Sequence, residues 1–144
     1  MKGEEMSIES YMQKDVKTCT ENATIDSVAK IMSANDIGSV IIVKENIPIG
    51  IFTERDLVNR VVAKGKNSTK LTVGEVMTKK LHTVNKDKKL REVYHVFVTN
   101  RIRHLPVVED GYLVGIVSLK DIARVVDEQI FGLRFNKLNF SGDY

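Results

Sequence analysis

The chain is written twice. Displaced by 65 positions, Met12 falls on Met77, Thr18 on Thr83, Val28 on Val93, Asn35 on Asn100, Ile37 on Ile102, Gly50 on Gly115 and Asp56 on Asp121, with no gap. Self-similarity at one fixed period means that one supersecondary unit is reused, and two copies make a pair rather than a solenoid. The copies run over residues 6–64 and 71–130, with 65–70 as a linker and 131–144 as a tail. A unit of about sixty residues buries little surface for its size and is marginal alone, so the halves are expected to share a core.

Within copy one, "VKTCT" alternates like a short strand. Thr24 is placed to cap a helix whose Ile25, Val28, Ala29 and Met32 fall on one face. "GSVIIVKENIPIGIFT" reads as two strands about a "KEN" turn. A second helix is expected from Glu54 to Lys64, burying Leu57, Val58, Val61 and Val62 and ending at Gly65. Copy two repeats the order with "LHTV", a helix carrying Leu90, Val93, Tyr94 and Phe97, the strands "HLPVVE" and "LVGIVS", and a helix carrying Ile122, Val125, Val126 and Ile130. The runs "VIIV" and "VGIV" suggest strands buried on both faces. The fold class is therefore α/β (α+β): two pseudo-twofold-related β-α-β-β-α halves packed sheet to sheet.

Bulk properties narrow the function classes. The start, "MKGEEMSIESYMQKD", lacks the apolar centre of a secretory signal, and no stretch approaches the eighteen or so apolar residues of a membrane span. A cytoplasmic protein without membrane insertion is the expectation. The single cysteine, Cys19, has no partner for a disulfide or a thiolate metal site and reads as a small packing residue. His82, His95 and His104 have no ligand spacing, so no metal site is expected. "GKNSTK" lacks the glycine spacing of a phosphate-binding loop, and no nucleophile stands beside a base, so the chain does not read as an enzyme. Charge is uneven: residues 64–91 hold nine Lys/Arg against Glu75 and Asp87, a balance of +7, which leaves −4 elsewhere. A solvated connector is one reading of that stretch, and a nucleic-acid patch is the alternative.

The chemistry concentrates where a strand gives way to a helix, at "GIFTERD" and "GIVSLKD". Thr53-x-x-Asp56 and Ser118-x-x-Asp121 fit a capping box, although Asp is a shorter partner than the usual Glu. Helix-start amides and the macrodipole also favour an anion, so a hydroxyl there can help hold a phosphate. Arg55 and Lys120 sit at the same places, where a cation opposes the dipole unless an external anion joins it. An aspartate at such a rim, accepting through two oxygens, suits the paired hydroxyls of a ribose. "RIRHLPVV" adds Arg103 and His104 before the third strand of copy two, where copy one has Gly38 and Ser39, so the two sites are expected to differ. Arg101 is expected on the surface in an ion pair.

These features resemble the CBS domain, named for cystathionine beta-synthase, and the tandem resembles a CBS pair, or Bateman module. The matching residues are "YMQKDVKTCTENATIDSVAKIMSANDIGSVIIV" with "GIFTERDL", and "VMTKKLHTVNKDKKLREVYHVFVTNRIRHLPVVEDGYLVGIVSLKDI", nearly the whole chain. The resemblance implies a regulatory sensor binding AMP, ADP, ATP or S-adenosylmethionine in the cleft between copies, with no cofactor required and with an enzyme or transporter as the regulated partner. By the same resemblance Asp56 and Asp121 contact ribose, Thr53 and Ser118 ribose or phosphate, and Arg55, Lys120, Arg103 and His104 the phosphates. Thr18, Thr83 and the strands holding Ser39 and Pro106 border the base. A homodimer is expected, and a structural dimer scaffold with empty pockets is the further alternative. In the tail, Phe131, Leu133, Phe135, Leu138 and Phe140 partly alternate and are expected to pack on the fold or on a dimer partner.

Overall fold

The computed structural model describes residues 6–131, and for Ile130 and Phe131 the backbone only. The expectations for the Ile130 side chain and for the tail therefore lie outside the described residues. Two three-stranded sheets form, each from one copy. In the first, β1 (Thr18–Cys19) runs parallel to β2 (Ser39–Lys44), which is antiparallel to β3 (Ile47–Thr53). The second repeats this with β4 (Val84–Asn85), β5 (His104–Glu109) and β6 (Tyr112–Ser118). Both hairpins turn on two residues of positive φ, Glu45-Asn46 and Asp110-Gly111, the backbone that matches the twist of paired strands. Both carry a bulge one residue after the middle of the inner strand, between Ile42 and Val43 and between Val107 and Val108.

Helix α1 (Ile25–Asn35) starts at Thr24, whose hydroxyl accepts the Ser27 N–H, and buries Ile25, Val28 and Met32. It stops at Asp36, in the left-handed region at φ 51°. Its counterpart α4 (Leu90–Asn100) stops at Arg101, φ 53°, and buries Val93 and Phe97. After β3 the chain makes one α turn, α2 (Glu54–Asp56), then a π-helical turn over Leu57–Val62, whereas copy two continues as the regular α5 (Leu119–Phe131).

Three apolar positions, Val58, Val62 and Tyr94, depart from the sequence pattern. Val61 is buried, but Val58 and Val62 are 57% and 67% exposed. On α4, Tyr94 and Val98 are likewise 50% and 57% exposed beside the buried Val93 and Phe97. In both cases the apolar stripe is two rows wide and the sheet covers one row. The run "VIIV" is buried from Val40 to Ile42, but in "VGIV" Val114 and Ile116 are only half-buried, and Ile116 faces the open cleft described below.

Instead of one shared core there are two, and each is completed by the other copy. The segment ahead of β1 crosses to copy two: Ile8 is fully buried among Val84, Val93, Phe97, Leu105 and Val117. The segment ahead of β4, containing α3 (Val73–Val76), crosses to copy one and buries Val73 and Met77 beside Val28, Val40 and Phe52. Main-chain bonds fix both crossings. Gln13 and Ile116 exchange N–H···O bonds of 2.8 and 3.0 Å, and Thr78 and Ile51 exchange bonds of 2.9 and 3.1 Å. Ile8 N–H reaches Lys88 O at 2.7 Å, as Val73 N–H reaches Ala23 O at 2.8 Å. β3 and β6 meet between the halves.

The crossing needs glycine at three places, one of them Gly74, where a Cβ would stand 2.8 Å from Glu21 O. A Cβ on Gly115 would run into the sulfur of Met12 and stand 3.0 Å from Gln13 O, and one on Gly50 would run into the sulfur of Met77. Overpacking of this kind costs about 1 to 3 kcal/mol. Gly115→Ala is therefore expected to lower unfolding free energy by about that amount in denaturant titration, and Met12→Ala is expected to cost less in the Gly115→Ala background than alone.

Candidate functional site

Both capping boxes form, with aspartate as the answering carboxylate. Thr53 N–H donates to Asp56 Oδ2 at 3.0 Å and Asp56 N–H to Thr53 Oγ1 at 3.2 Å. Ser118 N–H donates to Asp121 Oδ2 at 2.8 Å and Asp121 N–H to Ser118 Oγ at 3.1 Å. Glu54 N–H is taken by Gly38 O and Leu119 N–H by Arg103 O. The helix-start amides that the sequence offered for an anion are thus largely engaged within the fold. The structural reading of the motif holds, and each box also borders a cavity.

One cavity, of about 570 Å³, lies against Ser118, Lys120 and Asp121 and is closed by Val16, Ile37 and Ile116. The other, of about 590 Å³, lies against Thr53, Arg55 and Asp56 and is closed by Ile51 and Ile102. The repeat shift exchanges them: Ile116 for Ile51, Asp36 for Arg101, Gln13 for Thr78. Each combines an apolar wall with a few convergent polar groups, the usual make-up of a small-molecule site. Gly38, Arg103 and His104 line both.

The carboxylates are held differently. Asp121 is 6% exposed, and Gln13 Nε2, brought across by the exchanged segment, faces its two oxygens at 3.1 and 3.4 Å. Asp56 instead has Arg60 one turn along its own helix, at 3.6 Å, and Arg60 also donates to Val76 O at 2.8 Å. A Cβ on Gly38 would stand 3.5 Å from His104 Nε2 and 3.7 Å from Glu54 Cδ, so the imidazole and that carboxylate group flank the glycine. Burial pushes His104 below the ordinary imidazole range. Glu54 and Asp121 pull it back in part, and Arg103 adds to the depression.

Of the residues singled out in the sequence, Thr53, Arg55 and Asp56 line one cavity, Ser39, Ser118, Lys120 and Asp121 the other, and Arg103 and His104 both. The basic pair is therefore not confined to one site. Thr18, Thr83 and Pro106 line neither. Thr18 is exposed and pairs with Ile41, while its neighbours Val16 and Lys17 reach the cavity. Thr83 is exposed ahead of β4, and Pro106 is buried opposite Ile116 in the second sheet. Arg101 makes no ion pair among the described residues and lines a cavity instead, a correction that follows from its place at the left-handed end of α4. Gln13, Asp36, Glu54 and Arg60 were missed. The signals were available: Asp36 pairs with Arg101 in the repeat, and Arg60 stands four residues after Asp56.

Two other features are structural. Cys19 packs against the first core, and burial pushes its thiol up to about 11, which leaves almost no thiolate near neutral pH. The basic stretch is not one solvated connector, since Val73 and Met77 at its centre are buried and Lys86 pairs with Glu109 at 2.9 Å. No helix among the described residues is long and apolar enough to cross a membrane, and no three His, Cys, Asp or Glu side chains among them converge as a metal site.

Comparison with known proteins agrees with this geometry. The CBS domain family model matches twice, over residues 8–63 and 73–128. An uncharacterized protein of Methanopyrus kandleri is 40% identical over 122 residues, which are 83% of this chain and 62% of that protein, so the chain spans less than two thirds of this relative. The CBS domain-containing protein YhcV of Bacillus subtilis is 32% identical over 117 residues, 81% of this chain and 83% of that one. Among solved structures, the CBS domain pair of protein MJ0100, in complex with 5′-methylthioadenosine and S-adenosyl-L-methionine, superposes with a TM-score of 0.79 at 28% identity, covering 87% of this chain and 98% of that one. Two matched repeats, two sheets related by the repeat and two equivalent cavities between them make this chain a member of the CBS domain family, built as a CBS pair.

Proposed function

We propose that the chain is a regulatory module that binds adenosine-containing ligands in the cleft between its two repeats and modulates a partner enzyme or transporter without catalysing a reaction itself. The observation that carries this reading is the matched pair of carboxylates, Asp56 and Asp121, each oriented by a main-chain amide at the rim of a cavity with an apolar wall. A ribose diol fits the acceptor-only carboxylate, a base fits between Ile116 and Ile37 or between Ile51 and Ile102, and phosphates fit Arg55, Lys120, Arg103 and His104. The complex of the MJ0100 pair with two adenosine derivatives supports the ligand class. The exposed rows Val58/Val62 and Tyr94/Val98 support a homodimer that covers them. The nucleic-acid alternative has less support, because the centre of the basic stretch is tucked into the first core.

Calorimetry with AMP, ADP, ATP and S-adenosylmethionine tests the reading. Asp56→Ala and Asp121→Ala are each expected to weaken binding at their own site by about 1.5 to 3 kcal/mol, the range for hydrogen bonds to a charged group. No heat with any of the four, or affinities untouched by both substitutions, overturns it.

His104 adds a pH dependence. In the free protein its depressed pKa leaves the imidazole neutral down to below its ordinary 6.5. A bound phosphate favours the imidazolium and raises that pKa, so binding takes up a proton and tightens as pH falls from 7 toward 6. In buffers of different ionisation enthalpy at pH 6, the binding heat of AMP is expected to vary more for the natural protein than for His104→Gln.

A further inference from the structure

We infer that the two cavities divide ligands by charge: the one at Thr53 and Asp56 takes the polyphosphate nucleotide, and the one at Ser118 and Asp121 takes an adenosine derivative with little or no negative charge. This rests on the adenosine reading above and adds which ligand goes where.

The argument starts from position 36 and its repeat partner 101. Both residues end a helix in the same left-handed conformation, φ 51° and 53°, and each lines the cavity at the other copy's capping box. One is Asp and the other Arg, so the repeat has reversed the charge at one geometrically equivalent place. The remaining charges follow the same direction. Around Thr53 and Asp56 stand Arg55, Arg101 and Arg103, none in an ion pair or side-chain hydrogen bond among the described residues, against Glu54 and Asp56. The lining thus carries three cations and two anions, a formal +1, and Arg60 meets Asp56 from outside the lining.

The cavity at Ser118 and Asp121 has three cations, Lys17, Arg103 and Lys120, and three anions, Asp15, Asp36 and Asp121, a formal balance of zero. Lys17 is moreover spent on Asp15 at 3.2 Å, and Asp121 is met by the neutral amide of Gln13. Arg103 and His104 border both cavities and do not discriminate. Unpaired arginines converging on one pocket recognise phosphate oxygens through short charge-assisted bonds. A pocket whose aspartates equal its cations has no such surplus and gives a polyphosphate tail no net attraction.

Exchanging the charge at the paired position tests this, and the exchange is conformationally matched because each residue type already adopts that backbone at the equivalent place. Titrations with adenosine and with ATP, followed by calorimetry at fixed ionic strength, compare the natural protein, Arg101→Asp and Asp36→Arg. Arg101→Asp is expected to weaken the tighter ATP site by about ten- to hundredfold while adenosine affinity moves by less than about twofold. Asp36→Arg is expected to strengthen ATP binding at the second site. Arg55→Gln serves if Arg101→Asp does not fold, with the same direction expected. Adenosine binding intact with ATP indifferent to these changes overturns the division of ligands and leaves the adenosine reading standing. Failure of both ligands to bind the natural protein overturns the adenosine reading, and the division with it.

Discussion

The exchange of leading segments between the two halves is the constraint on which the rest of this structure depends. Two main-chain pairs, Gln13 with Ile116 and Thr78 with Ile51, fasten each segment along the far edge of the other copy's last strand. Ile8 on one side and Val73 with Met77 on the other fill cores that their own copies do not contain. Burying one large aliphatic side chain contributes about 1.5 to 3 kcal/mol, a sizeable part of what a sixty-residue half could muster. The same crossing carries Gln13 to one cavity and Thr78 to the other. Fold closure and site assembly are consequently one event.

The hydroxyl-x-x-aspartate turn caps its helix and sets its carboxylate beside a cavity with one geometry. The cap fixes the carboxylate by its inner oxygen, Oδ2 in both copies, to the amide of Thr53 or Ser118. An aspartate rather than a glutamate keeps that group close to the turn. The sites differ in what steadies the group from outside, a guanidinium on the π-helical turn in copy one and a carboxamide from the exchanged segment in copy two.

Much of this was legible in the sequence because duplication doubles every signal. Strand order, hairpins, the Thr24 cap and both hydroxyl-x-x-aspartate turns are local features with residue patterns of their own. The exchange was not legible, since the apolar positions Ile8, Val73 and Met77 say that a segment is buried and not in which copy. Val58, Val62 and Tyr94 were misassigned because a helical period marks a stripe without giving the width of the surface that covers it. Arg101 was misplaced for a related reason. Its direction is set by a left-handed helix end, a backbone choice that arginine rarely signals.

Asp121 has little accepting capacity to spare. It already receives the Ser118 amide and both approaches of the Gln13 carboxamide, against roughly four lone-pair sites. A sugar diol seated there would compete with the Gln13 carboxamide for the same two oxygens, while the Ser118 amide, tethered within the turn, would keep its place. Any guest at Asp121 would thus bear on the side chain that the exchanged segment delivers across the seam.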